Sequence, residues 1–190
     1  MSIHEDAVLA SGHAVHLRSM SAADQPAMLN FARALPEEDL LFLSMDITQD
    51  KVVDRWVQQI EKERTRSIVA YDGETLVGYG NVHRNPTPWM RRIGEIRVNV
   101  APAFRAQGLG RLLIHRTFDE ARDMGLGKLI AQMTSDQAAA QSAFRKIGFV
   151  PEAMLADFVI DRHGETRDLV MMTYDVDGHT DQAGDALRLS

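Results

Sequence analysis

The chain has 190 residues, 45% of them hydrophobic and 25% charged, which excludes a disordered chain, a collagen-like repeat and a disulfide scaffold. It contains no cysteine, so structural disulfides, thiolate metal sites and a cysteine nucleophile are excluded together. Lys and Arg number 21 against 27 Asp and Glu, and the net charge of −6 argues against a sequence-independent grip on nucleic acid or anionic lipid.

Residues 1–13 show no clear period and are predicted to be loose; the polar start, Met1 to Asp6, does not read as a signal peptide. Ala14 to Arg18 alternates and predicts a short edge strand. Ser21 reads as a helix N-cap with Asp24 at the third helical position. Met28, Leu29, Phe31, Ala32 and Leu35 then recur at helical spacing until Pro36. A second helix is predicted over 50–63, with Val52, Val53, Trp56, Val57 and Ile60 on one face. The period then changes. Ser67 to Tyr71 and Thr75 to Val82 form a strand pair around the hairpin turn Asp72-Gly73. Arg84 to Arg92 is a loop, and Ile93 to Val100 is a third strand of this group, ended by Ala101-Pro102. A helix over 109–124 closes at Gly125 and Gly127. Lys128 to Thr134 is a strand, and a helix follows from Ser135 or Asp136 to Ile147, closed by Gly148. Phe149 to Leu155 and Thr166 to Tyr174 form a final antiparallel pair, and 175–190 reads as a flexible acidic tail.

This order predicts one domain over 14–174 of α/β (α+β) type: a mixed, mostly antiparallel sheet with helices on both faces. No apolar run reaches the roughly 20 residues of a membrane helix, so the expected location is cytoplasmic.

The chemistry concentrates in Val98 to Arg111, where a strand ends and two glycines open a helix. A helix N-terminus presents unpaired N–H groups and partial positive charge, and so accepts a phosphate. Gly108 and Gly110 let a ligand approach the backbone, and Arg105 and Arg111 add charge. A dinucleotide fingerprint fails because Leu113 stands where the third glycine is required. A Walker A loop fails because Arg111-Leu112 follows the last glycine. The glycines serving only a tight turn, or a nucleotide site of another kind, stay open on these residues alone.

At this point the sequence resembles the GNAT superfamily of acyl-CoA-dependent N-acetyltransferases. Arg105-Ala106-Gln107-Gly108-Leu109-Gly110, after Val100-Ala101-Pro102, matches the family signature, and Phe144-Arg145-Lys146-Ile147-Gly148-Phe149 matches a second motif. The resemblance spans roughly residues 14–174 and implies a sheet splayed beside the cofactor. It implies acetyl-CoA as cosubstrate, with the diphosphate on the amides of Arg105, Ala106, Gln107, Gly108, Leu109, Gly110 and Arg111. It implies that the pantetheine arm pairs with the backbone of Val98 and Val100 and meets Gln137 and Phe144. No metal is implied.

The implied reaction is direct attack of a primary amine on the thioester, with Glu95 as general base; a surface ion pair of Glu95 with Arg97 or Arg92 is the alternative. Many members carry a tyrosine where this chain has Phe144. A catalytically weak or dead acyl-CoA-binding regulatory module is therefore the alternative to the enzyme. The acceptor is expected to be a protein lysine, an amino acid or another small amine. Glu37, Glu38, Asp39, Asp46 and Asp157 are candidates to attract it, and His83 and Trp89 to line its site. His13 and His16, on opposite faces of a strand, make a poor metal pair. A homodimer through the last strands is compatible with the resemblance.

Overall fold

The computed structural model describes residues 3–40, 45–161 and 163–178. In chain order the elements are β1 (His4–Val8), β2 (Ala14–Ser19), α1 (Gln25–Ala34), α2 (Glu37–Leu40), α3 (Asp50–Glu61), β3 (Thr65–Asp72), β4 (Thr75–Arg84) and β5 (Ile93–Val100). They continue with α4 (Leu109–Asp123), β6 (Lys128–Thr134), α5 (Ala138–Ile147), β7 (Val150–Ile160) and β8 (Thr166–Asp175). The strands form one sheet in the order β1-β2-β3-β4-β5-β6-β8-β7. Every neighbouring pair is antiparallel except β5 and β6. The mixed, mostly antiparallel sheet is therefore as the element order predicts.

The start of the chain differs from the expectation. The segment predicted to be loose contains β1, which pairs with β2 from His4↔Arg18 to Val8↔Ala14, so β2 is an interior strand rather than an edge. The β1 sequence is polar, and what holds it is partly distant: Glu5 takes two hydrogen bonds from Arg116 of α4, at 2.6 and 2.7 Å. At the other end β8 runs on to Asp175, and Val176 packs against the core instead of fraying. The rest of the predicted tail, 179–190, lies outside the described residues.

Two helical layers cover the sheet. On one face Met28 and Phe31 of α1 and Val53 and Trp56 of α3 bury against Val69 and Tyr79, and the Trp56 indole donates to Ser67 Oγ at 2.8 Å. On the other face α4 lies across β4 and β5. It comes so close at Gly80 that a Cβ there would stand 2.5 Å from Thr117 Oγ1. This close approach explains the glycine opposite α4.

Ser21 and Asp24 cap in a form the sequence only partly predicts. They bound a short 3₁₀ turn, Ala22–Asp24, and α1 begins one residue later. The Asp24 carboxylate is 1% exposed. It accepts from the Ser21 amide at 2.8 Å, Arg18 Nη1 at 2.7 Å and the Tyr71 hydroxyl at 2.7 Å. Burial alone would raise its pKa, but the Arg18 guanidinium, the Ser21 amide and the Tyr71 hydroxyl outweigh it and bring the value from 3.8 down to about 2. A carboxyl lowered on folding stabilises the fold above its unfolded pKa and loses that effect as pH falls towards the folded one. At 1.36 kcal/mol per unit, Asp24→Asn is expected to cost about 2 kcal/mol at pH 7. Denaturant melts of both proteins should show that gap closing between pH 4 and pH 2.

Candidate functional site

The parallel pairing of β5 with β6 is short: Ile93↔Lys128, Gly94↔Leu129 and Glu95↔Ile130. Beyond Glu95 each strand stays with its outer neighbour. β5 follows β4 to Gly78↔Val100, and β6 follows β8 to Thr134↔Leu169. The two strands therefore part, and a cleft of about 340 Å³ opens between them. Residues 95–99 form one wall. Residues 131–134, with Gln137, Ala140 and Phe144 of the α5 region, form the other. Asp39, Val159, Ile160 and Leu169 complete the lining. The edges of β5 and β6 facing the gap have no strand partner among the described residues along this length; side chains take the Val100 carbonyl and both polar groups of Thr134, and the other groups are available to a ligand.

At the end of β5 a 3₁₀ turn, Pro102–Phe104, leads into Arg105 and the start of α4. Ala106 and Gly108 both take positive φ, +58° and +93°. None of the backbone amides from Ala106 to Arg111 donates a well-formed hydrogen bond to an acceptor among the described residues. Six successive N–H groups at a helix N-terminus, with the helix dipole behind them, suit an anion with several oxygens. The residues present therefore fit a diphosphate.

The side chains of the turn brace it. Arg105 donates through Nε to the Val100 carbonyl at 3.0 Å and forms an ion pair with Asp39 of α2. Gln107 donates to the Ala103 carbonyl at 2.6 Å, while its side-chain oxygen accepts from Ser11 and its carbonyl from the Ala10 amide. Leu109 is fully buried under the sheet, and Arg111 lies outside with its Nε 3.4 Å from His115 Nε2. The turn thus offers its main chain, not its side chains, to a ligand.

Alternation places Val98 and Val100 towards α4, where they join its apolar cluster, and Glu95, Arg97 and Asn99 on the opposite face. Glu95 lies at the closed end of the cleft. Arg97 Nε donates to Glu95 Oε1 at 2.9 Å, and Oε2 has no partner among the described residues. Asn99 donates to the hydroxyl of buried Tyr79 at 2.9 Å. Burial raises the Tyr79 pKa against the lowering effect of that bond, so the hydroxyl stays protonated. On the far wall Gln137 Oε1 accepts from the Thr134 amide at 3.0 Å, leaving its NH₂ group to donate. Phe144 is buried edge-on against Phe149 at 4.9 Å between ring centres.

The structure thus gathers Glu95, Val98, Gln137 and Phe144 around one cleft, with the Arg105–Arg111 turn following the strand that forms its first wall. Of the acids expected to attract an amine, Asp39 alone among the described side chains lines the cleft. Glu37 lies 3.5 Å from His163, Asp46 accepts from Thr48, and Asp157 accepts from Thr166. The Glu38 side chain lies outside the described structure. Trp89 is 82% exposed and does not line the cleft. His83 does not line it either, but stands directly across from Glu95 in the β4–β5 register. Among the described residues no three acids or histidines are placed to hold a metal ion. Sequence reasoning missed Tyr79 and the Asp39–Arg105 pair. Cross-strand register sets the first and chain folding the second, and neither leaves a local signal. Among the described residues no helix is long and apolar enough to cross a membrane.

Three solved structures share the architecture. YncA of Salmonella typhimurium, solved with its cofactor acetyl-CoA, has a TM-score of 0.77 and 23% identity, covering 87% of this chain and 96% of that one. The ribosomal-protein-alanine N-acetyltransferase of Brucella melitensis has a TM-score of 0.74 and 25% identity, covering 84% and 98%. The GNAT domain of PAT from S. lividans has a TM-score of 0.75 and 17% identity, covering 90% and 96%. No curated protein is a significant match. The model of the acetyltransferase (GNAT) family matches residues 29–149. That match takes in both helical layers, the parted strands and the glycine turn, and by it the chain belongs to the GNAT family of acetyltransferases.

Proposed function

We propose that this protein transfers an acetyl group from acetyl-CoA to a primary amine by direct attack, with Glu95 as general base. One observation carries the reading: a cleft between parted β5 and β6 has a carboxylate at its closed end, and the turn that follows β5 has unpaired amides. In this reading the amides from Ala106 to Arg111 donate to the diphosphate. The backbone of Val98 and Val100 pairs with the pantetheine arm along the free edge of β5. Gln137 donates its NH₂ group to an amide of that arm, and Phe144 packs against it.

When bound, acetyl-CoA supplies a thioester carbonyl and a thiolate leaving group whose conjugate acid has a pKa of about 8.5. Glu95 takes a proton from the incoming ammonium, directly or through one water, because a protonated amine has no lone pair. Its Oε2 is the oxygen for this work, since Arg97 holds Oε1. With no cysteine in the chain, no acyl group passes through a protein thiol. Attack forms the C–N bond and breaks the C–S bond, the second proton of the nitrogen passes to water, and since Phe144 has no proton to give, the CoA thiolate leaves unassisted or is protonated through water.

The acceptor class is a primary amine: a protein lysine, an amino acid or another small amine. An acceptor panel with detection of free CoA tests the reading, and at least one amine should release CoA stoichiometrically with its acetylation. Phe144 favours the second reading, an acyl-CoA-binding module with weak catalysis, which predicts CoA binding and no release with any amine. For the assembled form we propose a homodimer through the edge strand β7, where Phe158 is 62% and Ile160 69% exposed. Light scattering should then give twice the 21.2 kDa of one chain.

A further inference from the structure

A second cavity, of about 450 Å³, opens where the start of β3 and the end of β4 meet the C-terminal ends of α3 and α4. It shares no lining residue with the cleft. Arg84 stands across from Gly94 near the start of β5, whereas the amide turn follows Val100 at its end, about 20 Å away at about 3.3 Å per residue.

Five cations line this cavity, Lys62, Arg64, Arg66, Arg84 and Arg91, against two acids, Glu63 and Asp123. The excess is local, since the chain as a whole has a net charge of −6. Arg66 is committed: its Nη1 lies 2.8 Å from Glu120 and 3.8 Å from Asp123. Lys62, Arg64, Arg84 and Arg91 have no ion-pair partner among the described residues. Main-chain bonds hold them around one space. The Arg84 amide donates to the Arg64 carbonyl at 2.9 Å, and the Asn85 amide to the Ile93 carbonyl at 3.0 Å, which closes the loop carrying Arg91. Asn85 Oδ1 accepts from the Thr87 amide at 2.9 Å, so its NH₂ group is left to donate.

Arg84 shows that the cluster is more than a helix cap. Its Nη2 donates to the Met124 carbonyl, where a cation offsets the dipole of α4. Its Nε is buried and has no hydrogen-bond partner among the described residues, although buried donors are ordinarily paired. Capping α4 needs one guanidinium and does not call for Lys62, Arg64 and Arg91 around the same cavity.

We infer that this cavity binds a small anion carrying two or more phosphate groups, held by Lys62, Arg64, Arg84 and Arg91. A guanidinium fork matches phosphate oxygens in pairs, and lysine adds a point charge. An anion oxygen at Arg84 Nε satisfies the orphaned donor. Four uncommitted cations exceed what one phosphate balances, and the volume lies within the range of about 300–1,000 Å³ typical of small-molecule sites. A concave wall of one sign also concentrates the field on its contents.

The test is calorimetric titration of the full chain with pyrophosphate, with CoA at saturation so that the amide turn is filled. One pyrophosphate per chain should bind. Arg84→Gln and Arg91→Gln should each raise its Kd at least fivefold, and Glu63→Gln, which removes an opposing charge, should lower it. Arg55→Gln, exposed on α3 outside the lining, should leave it unchanged. Citrate should bind more weakly than pyrophosphate; equal affinity would overturn the phosphate class. No uptake beyond CoA, or uptake indifferent to Arg84, Arg91 and Glu63, would overturn the site. Arg84→Gln also loses a bond to α4, so if it melts early, Arg91→Gln and Glu63→Gln, both exposed positions, decide. The inference stands apart from the reading of the cleft. Should CoA fail to bind, pyrophosphate uptake that answers to the cavity variants supports this site, and uptake that ignores them belongs to the amide turn and overturns it.

Discussion

Glu95→Gln is expected to lower kcat by about 10²–10³-fold at neutral pH while the Kd for CoA stays within twofold. The rate loss follows from the range that a positioned base contributes to proton transfer. The constancy of CoA binding follows from place, because Glu95 sits where β5 and β6 are still paired, at the closed end of the cleft. The glutamine keeps an acceptor oxygen for Arg97 at nearly the same volume, so the fold should not answer for the loss. Raising the pH should partly restore the variant, since a larger share of the acceptor then arrives already neutral. A kcat that survives the substitution at every pH would remove Glu95 from the chemistry and leave the Glu95–Arg97 contact as a structural ion pair.

The second large effect is expected at Gly108, read against Gly73. Both have positive φ, +93° and +56°, and a Cβ built on either meets nothing within 4 Å. Alanine at such a position costs on the order of 1–2 kcal/mol of backbone strain, and the two variants should lose similar stability in urea melts. Their binding should differ. Gly73 lies in the β3–β4 hairpin turn, and Gly73→Ala should leave the Kd for CoA unchanged. Gly108 is the N-cap of α4 amid the unpaired amides. Gly108→Ala should raise that Kd at least tenfold, because a methyl group enters the space the anion needs and any relaxation of φ turns the amides aside. Equal affinity in the two variants would mean that the open amides hold nothing.

Much of this protein is legible without coordinates. The hydrophobic periods of α1 and α3 depend on neighbours three and four residues away, and the strands β3 to β5 depend on alternation and a turn residue, so each is written locally. The glycine turn is equally local, since Gly108 sits where the chain needs a positive φ. β1 was missed for the opposite reason. Its polar residues carry no apolar alternation, and it is held by pairing with β2 and by Arg116, more than a hundred residues away in the chain.

The sequence alone determined the strand-turn-helix motif and its family, because those patterns arise within a few residues of each other. Only the tertiary structure decided what the motif faces. That Asp39 occupies Arg105 depends on how distant segments fold together, while where β5 leaves β6 and that His83 stands directly across from Glu95 depend on register between strands. A one-residue slip in that register would turn every one of those side chains to the other face. No local pattern specifies register, and it emerges only when the whole sheet closes on its two helical layers.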